Sequence, residues 1–368
     1  MKLLLLGDVS PTVATAPLFQ RKEIDTLFTD TLSLFRAADY RVCNLECAIT
    51  ESDEGIKKFG PCLKSPPETA EVLREIGMDL CGLSNNHVYD YGTKGARDTI
   101  ALLEKNGIAY TGFGENYEDS RKNFIIERDG KKIAVIAVCE HEYSYAIENR
   151  MGSRPFDEYD TMEDVRRAKA TCDRVVVMYH GGKEFCEYPS PRLRKLCRAL
   201  VKNGADVVLC QHSHCIGCYE KFMGGHILYG QGNFHFAKLL AVGGKNAELW
   251  SKCLAVMYDT ETGEIAFHPV GMSGEGIACI KGAEGARVMQ DFLARSKKLE
   301  TDEWKDGWRA FCEANKENYV KVIRNAANAD STEEQNAFFA HYLDCEAHSD
   351  VWRELFPTYN QTNCIDEE

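Results

Sequence analysis

Two histidines one residue apart, His212 and His214, close the apolar run Val207-Val208-Leu209-Cys210. Such a run reads as a buried strand, and side chains two apart at its end can face one side, so both imidazoles can reach one metal cluster. Four earlier runs end in the same way. Leu3-Leu4-Leu5-Leu6 leads into Gly7-Asp8, and residues 38–43 lead into Asn44-Leu45-Glu46. Residues 78–83 lead into Ser84-Asn85-Asn86-His87, and residues 174–179 into His180-Gly181-Gly182. Together these ends supply two carboxylates (Asp8, Glu46), an amide (Asn86) and four imidazoles (His87, His180, His212, His214). Imidazole with carboxylate suits Mn, Fe or Zn, and an amide oxygen adds a neutral ligand. A carboxylate on a neighbouring strand can bridge two ions about 3.5–4 Å apart, the separation used for in-line displacement at phosphorus. Singly, each residue has a plainer reading: Asp8 as a turn cap, Glu46 as a solvated loop residue, Asn85 or Asn86 in a left-handed turn. His180 alone reads as an end-of-strand histidine, and Asp90 as a helix N-cap or a partner of a ligand. Five strand ends of one kind outweigh these separate readings.

Between the strand ends the apolar spacing is helical. Ile24, Leu27, Phe28, Leu32 and Phe35 predict one helix over 23–38, and further helices are expected over 64–76 (opened by Lys64-Ser65-Pro66-Pro67-Glu68), 96–106, 162–171 and 191–203. Asp129-Gly130, Gly224-Gly225 and Thr262-Gly263 predict hairpins. Alternating helices and strands predict an α/β fold with a mixed sheet, and open sheets of this kind place ligands at the carboxyl ends of their strands. The polar segment 52–59 is expected as an exposed loop and 142–156 as an irregular one. From about residue 284 the character changes to helices over 286–299, 303–326 and 333–355, rich in Trp, Phe and Tyr on one side. No candidate ligands cluster there, so this part is expected to pack on or cap the α/β domain, or to make a homodimer contact.

The 368 residues carry a formal net charge of −13, which argues against nucleic-acid binding through a basic footprint. A small-molecule or polymeric anion remains a suitable substrate, because bound ions supply positive charge locally. No apolar stretch is long enough for membrane insertion. Met1-Lys2 and the short apolar run before Asp8 lack a cleavage site and read as a first strand rather than an export signal, so a cytoplasmic location is expected. The sixteen cysteines fall mostly in apolar runs, where thiols behave as small hydrophobes, and Cys215-x-x-Cys218 lacks the second pair that a zinc site needs.

In order, Gly7-Asp8, Asn44-Leu45-Glu46, Asn85-Asn86-His87 with Asp90 and Gly92, His180-x-Gly182-x-Glu184, His212-x-His214 and Gly232-Asn233-Phe234 resemble the CapA family. That family is named for bacterial poly-γ-glutamate capsule synthesis and belongs to the calcineurin-like metallophosphoesterases. The resemblance covers roughly residues 1–270. It implies a four-layer α/β/β/α metallophosphatase-like sandwich over 1–272, with a helical C-terminal extension over 283–368. It further implies a two-metal centre in which Asp8 and His214 hold one divalent ion, His180, Asn86 and His212 the other, and Glu46 bridges them. By the same resemblance His87, with Asp90 and Glu184, serves catalysis, and a metal-bridging hydroxide is the nucleophile. Asn44, Asn85, Lys64 and Asn233 would face substrate or support ligands. Ser10 stands where the superfamily has a histidine, Gly181 where the family has a tryptophan, and Gln211 and Ser213 alter the usual His-His-Pro-His. The function implied is metal-dependent hydrolysis of a phosphoester-like substrate. The alternatives are a non-catalytic component that binds poly-γ-glutamate or another anionic polymer, and an amide hydrolase on the same scaffold.

Overall fold

In the computed structural model, the described residues are 1–11, 13–237 and 243–357. Residues 358–368 of the expected helical extension lie outside them.

Alternation along the first strand sets the layering. In Lys2–Ser10, Leu3 and Leu5 join Val42, Leu80, Val135, Val176, Val207 and Leu209 in one buried cluster. Leu4 and Leu6 point the other way, into a cluster with Phe19, Leu73 and Leu103 of the flanking helices. This is the two-residue period of a strand buried on both faces. The first cluster is the seam between two sheets. One has eight strands, in the order Gly276–Cys279, Ile265–Ser273, Lys252–Asp259, Lys2–Ser10, Tyr40–Leu45, Leu80–Gly82 and Ala109–Thr111, with Asn233–Phe236 also paired to Lys2–Ser10. The other has six: Tyr219–Phe222, Gly225–Leu228, Val207–Gln211, Arg174–His180, Lys131–Cys139 and Phe124–Arg128. On its outer face Ile136, Val177 and Val208 pack against Val165, Leu196 and Leu200 of helices Glu158–Thr171 and Pro191–Lys202. The architecture is therefore helix, sheet, sheet, helix, as the resemblance implied.

The inner strands of each sheet run parallel, so their carboxyl ends share one edge. The register places Asp8 opposite both Asn44 and Asn233, and His180 opposite Gln211. Gly7 permits this crossing, because a Cβ there would lie 2.0 Å from the carbonyl oxygen of Gly232. All three expected hairpins form.

Two expected helices are broken, each at a tertiary contact. Residues 23–38 form Ile24–Phe28, a short turn Thr29–Thr31 and Leu32–Ala37. Thr29 (φ 39°) donates its hydroxyl to the carbonyl of Ile277 at 2.5 Å, and Asp30 accepts the backbone N–H of Cys279 at 2.9 Å. Docking the edge strand Gly276–Cys279 thus overrides helical spacing. In the extension, 333–355 divides into Glu333–Asp344 and Glu346–Leu355, with Cys345 extended between them. These two helices and Glu303–Ala326 bury Trp308, Tyr319 and Val351 together with Cys186 of the α/β part. No helix among the described residues is long and apolar enough to cross a membrane.

Candidate metal centre

Asp8 lies inside its strand, wholly buried, with one oxygen accepting the Asn44 amide at 2.7 Å and the other the backbone N–H of His212 at 3.1 Å. The Asn44 amide nitrogen also donates to His180 Nδ1 at 3.1 Å, so Nε2 of that ring faces Asn86 Oδ1 at 3.0 Å and Glu46 at 3.5 Å. His214 Nδ1 donates to Asn233 Oδ1 at 2.9 Å, leaving its Nε2 4.0 Å from the same Glu46 oxygen. Trp250 packs against the His214 ring with centroids 4.3 Å apart. His212 and His214 sit on left-handed backbone, at φ 77° and 52°, which folds both rings back over the sheet edge. Two overlapping groups result. Ligand atoms of Glu46, His180 and His212 lie within 4.8 Å of one another, as do those of Asp8, Glu46 and His214.

The electrostatics favour cations here. Both Glu46 oxygens are buried without a hydrogen-bond partner among the described residues, and so is His212 Nδ1. A buried carboxylate without partners is costly, whereas a coordinated ion would satisfy both oxygens. Burial, then the neighbouring Glu46, pushes Asp8 up to about 7, and burial pushes Glu46 well above the carboxylate range. Burial brings His180 down to about 4 and His214 to about 3, so both imidazoles are neutral, the form that binds metal. The donor set therefore fits divalent ions.

Beside this centre His87 donates Nδ1–H to Asp90 at 2.6 Å, and Asp90 also accepts the backbone N–H of Leu63 at 2.6 Å and the ammonium of Lys58. Lys58 Nζ reaches His87 Nδ1 at 3.1 Å, and its side chain is only 2% exposed. Segment 52–59 is thus not simply an exposed loop, because it threads a lysine under the site. Burial, followed by Lys58, lowers the His87 pKa. Asn85 braces the cluster, donating to Asn44 and the Leu45 carbonyl and accepting the N–H groups of His87 and Val88.

The family of the bacterial capsule synthesis protein PGA_cap matches residues 2–238. The chain belongs to this family. It is 28% identical over 248 residues to the capsule biosynthesis protein CapA of Bacillus anthracis, covering 64% of this chain and 60% of that protein. It is 29% identical over 240 residues to the PGA biosynthesis protein CapA of Bacillus subtilis (strain 168), covering 63% and 62%. The chain therefore spans about three fifths of the length of these relatives. Among solved structures, a hypothetical protein from Thermus thermophilus aligns with TM-score 0.45 at 15% identity, over 76% of this chain and 100% of that one. A putative 5'-nucleotidase from Staphylococcus aureus, solved with alpha-ketoglutarate, aligns with TM-score 0.45 at 13% identity, over 79% of this chain and 57% of the other.

Within the PGA_cap domain the expected residues divide. Asp8, Glu46, Asn86, His180, His212 and His214 converge, with Asn44, Asn85, Asn233, His87 and Asp90 around them. Glu184 lies at the margin, 43% exposed and 4.0 Å from Lys183; burial opposes its ionisation, but Lys183, His212 and His214 bring its pKa below the usual value. Lys64 does not join the centre. Its strand, Lys64–Ser65, pairs with Ala48–Ile49, and its ammonium is held by the Ser52 carbonyl at 2.7 Å and Asp53 at 2.6 Å.

Two acids were not anticipated. Glu142 accepts the Asn86 amide N–H at 2.9 Å and lies 3.4 Å from His212 Nε2, so it turns the amide oxygen of Asn86 towards His180. Glu140 fills the space at Gly181, where a Cβ would be 2.6 Å from its side chain, and accepts from Tyr179, Arg192 and the backbone N–H of Gly182. Gly181 thus admits a buried carboxylate. The signal was present: Lys131–Cys139 is another apolar strand running into acids. The extension also reaches this point, since Cys345 donates its thiol to Glu142 at 3.2 Å. Burial opposes ionisation of Glu142, yet His212, His341 and His348 hold its pKa far below the ordinary range. The extension, expected to pack on or cap the α/β domain, thus also bears on the centre through His341, Cys345 and His348, which come from sequence too distant for periodicity to connect them.

Proposed function

We propose that the chain is a metal-dependent hydrolase of phosphoester-like substrates, working with two divalent ions. Glu46 carries the reading, because its two unpartnered, buried oxygens are common to both ligand groups. Asp8, His214 and Glu46 would hold one ion, and Asn86, His180, His212 and Glu46 the other; Mn, Fe and Zn all suit these donors. Bound there, the ions would polarise a phosphoryl oxygen and supply a water of lowered pKa. His87, once protonated at Nε2, would deliver that proton to the leaving oxygen; Asp90 fixes its ring through Nδ1, and Lys58 holds Asp90. Asn44 and Asn233 orient the ligand imidazoles, and burial of the whole cluster keeps bulk water out.

The names of the Bacillus relatives support a substrate from capsule polymer metabolism, small or polymeric. The free thiols of the described cysteines support a reducing, cytoplasmic setting. Elemental analysis of purified protein, reconstituted with Mn, Fe or Zn, together with a panel of phosphomonoesters and diesters, tests the reading. Metal at background after reconstitution would overturn it.

One observation favours a second reading. Ser10 is buried with its hydroxyl unpartnered among the described residues, at the position where the superfamily places an imidazole beside Asp8. A site short of one ligand suits a component that binds an anionic polymer without turning it over. Retention of poly-γ-glutamate by metal-loaded protein that turns over no ester would favour this reading.

A further inference from the structure

A cavity of about 610 Å³ opens beside the metal centre, between the PGA_cap domain and the C-terminal helices. Its inner wall is Lys183, Glu184 and Phe185, from the loop that follows the ligand His180. The opposite wall is Tyr319 and Tyr342 of the extension, and Asn318 stands at the rim. Neither part of the chain makes this space alone.

Lys183 is the distinctive group. Its side chain is 14% exposed, and the only carboxylate within 4.0 Å among the described residues is Glu184, at 4.0 Å, too far for a hydrogen bond. A mostly buried ammonium with no close partner is costly unless an anion completes it. Tyr342 is fixed nearby, its ring stacked on His348 with centroids 3.7 Å apart, while the Tyr319 hydroxyl is already engaged by His348 Nδ1 at 2.8 Å. Of the two tyrosines, Tyr342 therefore keeps its hydroxyl for a ligand.

We propose that this cavity receives an acidic arm of the substrate, a carboxylate or phosphate remote from the reacting bond, which pairs with Lys183 and the Tyr342 hydroxyl. The assignment rests on the hydrolase reading for the identity of the adjoining centre. It goes further in making the C-terminal helices part of the binding site and in requiring a substrate with a second negative group. A neutral ester of equal size should bind the same centre more weakly.

The test uses the full chain loaded with Mn, titrated calorimetrically with glutarate and, separately, with inorganic phosphate, with bound metal measured on the same samples. Lys183→Met should weaken binding of the acid that fits by about tenfold or more, as loss of a charged hydrogen bond does, and Lys183→Arg should largely restore it. Tyr342→Phe should weaken it by about threefold. Whichever acid responds is the one the cavity takes. If Lys183→Met binds both acids as the parent chain does while metal is fully loaded, the cavity assignment is overturned and the hydrolase reading stands. If the chain holds no metal yet binds glutarate through Lys183, the hydrolase reading fails and the acid-binding cavity stands.

Discussion

The two ligand groups of the candidate metal centre are held by different parts of the chain. The Asp8–His214 half is locked from nearby: Asn233 fixes the imidazole at 2.9 Å and Trp250 packs on its face. The His180–His212–Asn86 half is locked from far away. Its amide is turned by Glu142, which takes a hydrogen bond from Cys345, and its loop rests on Glu140, which Arg192 ties at 2.5 Å. Arg192 also binds Asp350 at 2.9 Å, and Ser190 donates to Asp350 at 2.5 Å. Local aromatic packing stiffens one half; a polar network spanning some two hundred residues stiffens the other, so the second is the more vulnerable to changes distant in sequence.

Substitutions can break or sharpen this contrast. Glu46→Ala removes the ligand common to both halves, so bound metal should fall to background and ester hydrolysis by at least about a hundredfold; metal retained at parent stoichiometry would refute the shared role. Asp350→Ala leaves Arg192 half-paired at the base of the extension and should cost roughly 3 kcal/mol in a denaturant titration. Its metal should be lost first from the His180–His212 half, and equal loss from both halves would erase the distinction drawn here. Glu142→Gln should leave the fold intact and weaken metal in that half by about tenfold, read by competition with a chelator.

A smaller effect concerns pH. His141 donates to Glu346 at 2.6 Å, joining the PGA_cap domain to helix Glu346–Leu355. Glu346, first by hydrogen bonding, raises the His141 pKa above 6.5; this contribution is full below 6.5 and disappears as pH rises through the folded value. Burial works against ionised Glu346, but His141 brings its pKa below 4.5, so that contribution is present above 4.5 and fades as pH falls through the lowered value. Asp344 and Glu140 face the same imidazole and add to its shift. Protection of the amides in 346–355, taken relative to the base-catalysed intrinsic exchange rate at each pH, should be greatest between pH 4.5 and 6.5 and smaller at pH 8, and His141→Gln should remove that difference in protection.

The convergence of Asp8, Glu46, Asn86, His180, His212 and His214 was legible because polar residues of these types follow apolar strand runs, although Asp8 proves to lie inside its strand; alternation such as Leu3/Leu5 against Leu4/Leu6 fixes the layers. What was hidden depends on pairing across the chain. Lys58 sits in a polar run, and nothing in that run tells which cation will be buried against Asp90. Spacing gave the apolar face of 333–355 but not the break at Cys345, which turns that thiol onto Glu142. The helix over 23–38 failed for the same reason, since a strand some 250 residues later unwinds its middle.

The left-handed backbone at His212 and His214 has a consequence for the metal-free protein. Residues with a Cβ are disfavoured there by roughly 1–2 kcal/mol each, so these ligand positions stand against the stability of the chain that presents them. Replacing His212 by glycine should therefore give an inactive protein about 1 kcal/mol more stable than the alanine variant, measured on metal-free samples by chemical denaturation. At this turn, selection for greater stability and selection for ion binding pull in opposite directions.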